Sequence, residues 1–115
     1  MVVIDPAAID ELVTTFGDEG RVVVGELVAT FLSEAPARLD AIRQGVAAAD
    51  EAEVRRAAHS LKAGAATLGA HQLAEACRQV EARSRAGDLA AAADLVPAVE
   101  ASYDQARRAL EDLVG

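Results

Sequence analysis

Apolar residues recur three and four positions apart along almost the whole chain, the period of an amphipathic α-helix. Asp5-Pro6 reads as a helix start, a capping carboxylate followed by proline at the first helical position. Ile9, Leu12, Val13 and Phe16 then form one face, and Gly17 ends the helix. A second helix is predicted from Glu19 to Ser33, with Val24, Leu27, Val28 and Phe31 inward. Pro36 is expected to open a third, which carries Leu39, Ile42 and Val46. Asp50 with Glu53 has the pattern of a capping box and starts a fourth. That helix ends at Gly69 and has the apolar stripe Val54, Ala57, Ala58, Leu61, Ala65 and Leu68. A fifth covers residues 70–86 with Leu73, Ala76, Cys77 and Val80 inward, and Gly87-Asp88 ends it and caps the next. In the last helix Leu89, Ala92, Val96, Val99, Tyr103, Ala106, Leu110 and Leu113 alternate by three and four, the spacing of a bundle seam. Pro97 lies within it and is expected to kink or break it.

Six helical segments, no strand pattern and short connections predict an all-α protein. The expected architecture is an antiparallel up-down four-helix bundle with one or two short additional N-terminal helices. The length of 115 residues suits one domain, residues 1–115. Hydrophobic residues make up 52% of the chain but aromatics only 3%, so the core must come from aliphatic side chains packed closely. Cys77 is the only cysteine, which leaves no internal disulfide and no cysteine-based metal site. The N-terminus lacks the basic and apolar regions of a signal peptide, and no apolar run approaches a membrane span. A cytoplasmic protein without a membrane partner is expected.

The net charge of −8 argues against nucleic-acid binding, which needs a basic surface. Yet residues 55–85 hold six of the eleven bases and only two of the nineteen acids, Glu75 and Glu81. A locally basic region therefore sits on an acidic molecule. His59 lies inside it. Each residue turns about 100° around a helix, so His59 is about 160° from Leu61 and should face water. Its helical neighbours are Arg55, Arg56, Lys62 and Ala63, with Ala66 one turn further. An open imidazole among cations is suited to receive a phosphoryl group. If the chain turns back at Gly69-Ala70, residue 80 is level with His59. Val80 faces the core, so Glu81 stands at the exposed edge within reach of His59, and Arg83 and Arg85 fall level with Arg55 and Arg56. Taken singly, each of these side chains reads as a solvated surface group; only the combination points to a site. His71 has no motif around it, and a zinc site shared with His59 is not expected, since about a helix length separates them.

His59-Ser60-Leu61-Lys62, followed by Ala65-Ala66-Thr67-Leu68-Gly69-Ala70, resembles the hallmark of the histidine-containing phosphotransfer (HPt) family. The likeness continues through Leu73, Cys77-Arg78 and Val80-Glu81. One departure is Ala63, where the family usually has glycine, with Gly64 next. The resemblance implies a phosphorelay carrier that passes a phosphoryl group between His59 and an aspartate of a response-regulator receiver domain. Its partners would be that receiver and a hybrid sensor histidine kinase, and a monomer is expected, either free-standing or a domain of a larger hybrid kinase. A carboxylate that accepts the Nδ1 proton would leave Nε2 as the attacking atom, a role Glu81 suits, and Lys62 would offset phosphoryl charge. Arg55, Arg56, Ala63, Gly64, Ala66 and Arg85 would meet the partner. No nucleotide-binding loop or Mg²⁺ carboxylate set is present, so no ATP-dependent kinase activity and no cofactor are expected, with Mg²⁺ belonging to the receiver. The competing reading is a helical adaptor that docks receivers or kinases without being phosphorylated.

Overall fold

The structure, a computed structural model, describes residues 2–114. It comprises α1 (Pro6–Phe16), a 3₁₀ turn (Gly17–Glu19), α2 (Gly20–Ala47), α3 (Glu51–Thr67), α4 (His71–Arg85) and α5 (Leu89–Val114), with no strand among the described residues. The last four helices form the antiparallel bundle. α2 and α4 pack on both α3 and α5, which stand diagonally opposite one another, and α1 lies against α2.

The starts follow the capping chemistry in the sequence. Asp5 Oδ1 accepts from the Ala7 amide at 2.9 Å, Asp50 Oδ1 from Glu53 at 3.1 Å and Asp88 Oδ1 from Ala91 at 3.0 Å. Each satisfies an amide that the first turn leaves without a partner. At the α3–α4 turn Gly69 takes φ +77°, and a Cβ there would lie 2.9 Å from that of Ala8. The Gly69 carbonyl accepts from the Asp5 amide at 2.9 Å, so this turn anchors the start of α1.

The predicted second and third helices are one. α2 runs unbroken through Pro36, as α5 runs through Pro97. Each proline removes one backbone bond, to the carbonyls of Leu32 and Ala93 respectively. Both prolines are exposed. The buried stripe Val24, Val28, Phe31, Ala35, Leu39 and Ile42 meanwhile continues across Pro36 without a change of face. Burial of a large aliphatic or aromatic side chain is worth about 1.5–3 kcal/mol, so several such residues outweigh a lost bond.

The stripe of α3 is buried as predicted, from Val54 to Leu68, and it meets Leu73, Cys77 and Val80 of α4 in one core. Small residues at Ala57, Ala58 and Ala65 let the two helices approach. Two expectations fail at the edges. Phe16 is 46% exposed and Leu113 48%. Val46 is half-buried against the core, and Gly45 beside it packs on Val54, where a Cβ would lie 2.7 Å from Val54 Cγ2.

Candidate functional site

His59 projects from the middle of α3 with its side chain 62% exposed. Leu61 and Ala58, its neighbours on the opposite face, hold the helix to the core. Glu81 arrives from α4, one residue past the fully buried Val80, and is itself buried. Its two oxygens are both engaged. Oε2 lies 2.6 Å from His59 Nδ1, and Oε1 accepts from Lys62 Nζ at 2.7 Å. Burial pushes the Glu81 carboxyl up, but the bonds from Lys62 and His59 outweigh it and hold the group below its ordinary value. It is therefore a carboxylate near neutral pH and has no proton to give. The bond at Nδ1 requires His59 to carry its proton there, which leaves the lone pair on Nε2. Nε2 has no protein partner among the described residues.

Lys62 corrects the sequence reading. It is half-buried, and its ammonium is tied to Glu81 instead of standing free to meet a phosphoryl group. One bond leaves two further N–H donors on the same nitrogen. Arg85, one helical turn beyond Glu81, brings Nη2 to 4.0 Å from Oε2. Arg55, Arg56 and Arg85 border a shallow concavity with His59, Ser60 and Glu81. Arg56 is paired with Glu53 at 3.1 Å. The predicted basic region is divided, however. Arg83, expected level with Arg55, lies with Arg78 in a separate concavity facing α5, and Arg78 is paired with Glu75.

The surface beside His59 opens toward α2. Ser60, Ala63, Gly64 and Thr67 of α3 face Leu27, Thr30, Phe31, Glu34 and Arg38 of α2 across a groove of about 280 Å³. Sequence reasoning missed the α2 wall because it assigned Leu27 and Phe31 wholly to the core. Gly64 is more than an open spot in that groove: a Cβ there would meet the Phe31 ring at 2.8 Å. Ala66 lies off this groove, in the cleft between α1 and α3 that His71 also borders. His71 has a partner the sequence did not suggest, since its Nε2 lies 3.0 Å from Asp5 Oδ2. Cys77 is buried beneath the site, and burial, then the Glu81 charge, push its thiol up to about 12. Among the described residues no group of three histidine, cysteine or acidic side chains could hold a metal ion.

An exposed imidazole held by a buried carboxylate on a helical hairpin is one test of kinship; the sequence itself is another. The sequence model of the Hpt domain family matches residues 26–109. The chain belongs to the Hpt domain family. It is similar to histidine-containing phosphotransfer protein B (HptB) from Pseudomonas aeruginosa PAO1, whose crystal structure superposes with a TM-score of 0.85 at 28% identity. That match covers 97% of this chain and 94% of HptB. No curated protein matches the sequence. As an Hpt domain the chain serves histidine phosphotransfer in a phosphorelay, as a phosphocarrier that meets receiver and kinase components. No helix of this Hpt domain is long and apolar enough to cross a membrane.

Proposed function

We propose that His59 is the phosphoacceptor and that Nε2 is its attacking atom. The observation that carries this reading is the bond between Nδ1 and the buried Glu81 carboxylate, which selects the nucleophilic nitrogen before any partner arrives. In the reaction the Nε2 lone pair forms a bond to phosphorus as the bond from phosphorus to the receiver's aspartate oxygen breaks. The aspartate leaves as a carboxylate. The ring takes up positive character, and Nδ1 keeps its proton. Glu81 faces that proton and stabilises the charge where it develops. Lys62 is a positioning residue: it holds Glu81 in line and keeps donors for the phosphoryl oxygens. Arg55, Arg56 and Arg85 surround the anion that results.

The docking surface is centred on His59 and extends into the groove of α2 and α3, with Ala63 and Gly64 as its floor. Small residues permit an imidazole to enter the pocket that holds the aspartyl phosphate. Ala66, further along, contacts the partner's edge. The chain acts stoichiometrically, without ATP-dependent kinase activity, as a monomeric single domain of residues 1–115. It works in the cytoplasm between a hybrid sensor histidine kinase and a receiver that supplies the Mg²⁺. The adaptor reading has no observation of its own.

Incubation with a receiver carrying aspartyl phosphate tests the assignment. Label should move to this protein as an acid-labile, alkali-stable phosphate and be absent from His59→Gln. Label that persists in a folded His59→Gln would place the acceptor elsewhere.

A further inference from the structure

A second groove lies at the corner where α1, the start of α2 and the end of α5 meet. Ile9 and Val13, Val24 and Gly25, and Leu113 and Val114 line it, and it is about 280 Å³ in volume. Phe16 extends the Ile9–Val13 stripe by one helical step and is exposed, as are Leu113 and Val114. A Cβ added at Gly25 would meet nothing within 4 Å, so this part of the groove is open to its floor. None of the lining residues falls within residues 26–109, the span that the Hpt family shares. None belongs to the concavities around His59. Phosphotransfer gives this surface no work, and exposed aliphatic clusters mark interaction sites.

Its rim is acidic. Asp10, Glu26 and Asp112 each adjoin a lining residue in sequence, and Asp18 and Glu19 lie just before α2. All five are exposed and none forms an ion pair among the described residues. Against them Arg21 is the base that lines the groove. Arg107 and Arg108 of α5 are already paired with Asp104 and Glu111. A second copy would carry the same net charge of −8, and like charges oppose that contact. A complementary occupant has an apolar stripe with lysines or arginines on its flanks.

We propose that this corner docks a basic amphipathic helix of another protein or domain, independently of the phosphoryl exchange at His59. Such a helix lays its apolar face into a groove through anchors at i, i+3, i+4 and i+7. The two sites share no residue, so a bound partner would tether the carrier while receivers come and go.

A fluorescein-labelled helical peptide of about 18 leucines and lysines, with leucine at the anchor positions, is a suitable probe. Anisotropy should show saturable one-to-one binding to the full chain that weakens as salt is raised. Gly25→Trp fills the groove and Leu113→Glu places a charge in it. Each should weaken binding at least about tenfold while melting temperature and transfer from a phosphorylated receiver stay as in wild type. Glu26→Lys with Asp112→Lys should weaken it as well, and a leucine–glutamate peptide should not bind. Equal affinity in wild type, Gly25→Trp and Leu113→Glu would reduce the effect to general charge attraction and overturn the proposal. So would the absence of saturable binding, or equal binding of the leucine–glutamate peptide. A dimer in sedimentation that Leu113→Glu abolishes would assign the groove to a second copy instead.

Discussion

Two imidazoles in this molecule are each bonded to one carboxylate, and they differ in almost everything else. His59 and His71 are equally exposed, at 62% and 63%. His59 bonds through Nδ1 to Glu81, a carboxylate that is 5% exposed and also bound by Lys62. His71 bonds through Nε2 to Asp5, which is 39% exposed and spends its other oxygen on the α1 amide of Ala7. The first pair holds its carboxylate rigidly in the core and points an unengaged Nε2 outward. The second engages the outer nitrogen and ties the short helix α1 to the α3–α4 turn. A histidine–carboxylate contact alone therefore says little; burial of the acid and the nitrogen it selects separate a reactive group from a structural tie.

The sharpest way to break the comparison is to close one histidine's approach. Ala63→Trp should abolish transfer from a phosphorylated receiver, because the indole would stand in the groove beside His59. Ala63 is exposed, so helical circular dichroism and melting temperature should remain close to wild type. Normal transfer by this variant would mean that the receiver docks elsewhere.

Removal of the buried acid comes next. Glu81→Ala should slow transfer about ten- to a hundredfold, since Nδ1 loses the partner that fixes the tautomer. It should also cost about 1–3 kcal/mol, because Lys62 is left half-buried without its bond. The stability part has a pH signature. The folded-state pKa of Glu81 is lowered, so its contribution is present above the ordinary carboxylate value and is lost as pH falls through the folded value. The gap in melting temperature between wild type and Glu81→Ala should shrink as pH falls below the ordinary carboxylate value. A gap that widens in acid would reverse the assigned sign.

Lys62→Ala should slow transfer less than Glu81→Ala, about several-fold, and combining the two should add little to Glu81→Ala alone. Additive losses in the double variant would mean that Lys62 acts on the phosphoryl group without Glu81. The smallest effects belong to the other pair. Asp5→Ala should lower stability by about 1 kcal/mol, as loss of a helix cap does, with no change in the transfer rate. A transfer defect in this variant, measured on folded protein, would join His71 to the relay.

Much of this was legible in the sequence. The capping residues Asp5, Asp50 and Asp88 and the stripes of α3 and α4 set the hairpin, and its register was enough to put Glu81 beside His59. Pro36 was misread because a local rule about backbone bonds was applied where a continuous buried stripe decides, and at Pro97 the helix does not break. Phe16 and Leu113 were misread because periodicity shows which face is apolar but not whether anything covers it. The division of the basic region needed the actual rotation of α4, which sends Arg78 and Arg83 toward α5 while Arg85 stays near Glu81. His71 and Asp5 are 66 residues apart, and only the packing of α1 onto the α3–α4 turn brings them together.

The central claim is that Glu81 holds the His59 proton on Nδ1 so that the phosphoryl group goes to Nε2. The direct test is a long-range proton–nitrogen NMR spectrum of the phosphorylated protein with ¹⁵N-labelled imidazoles, read for coupling to ³¹P. The account predicts phosphorus coupling at Nε2 of His59, with Nδ1 still protonated. Phosphorus coupling at Nδ1 of His59, or at either nitrogen of His71, would contradict it.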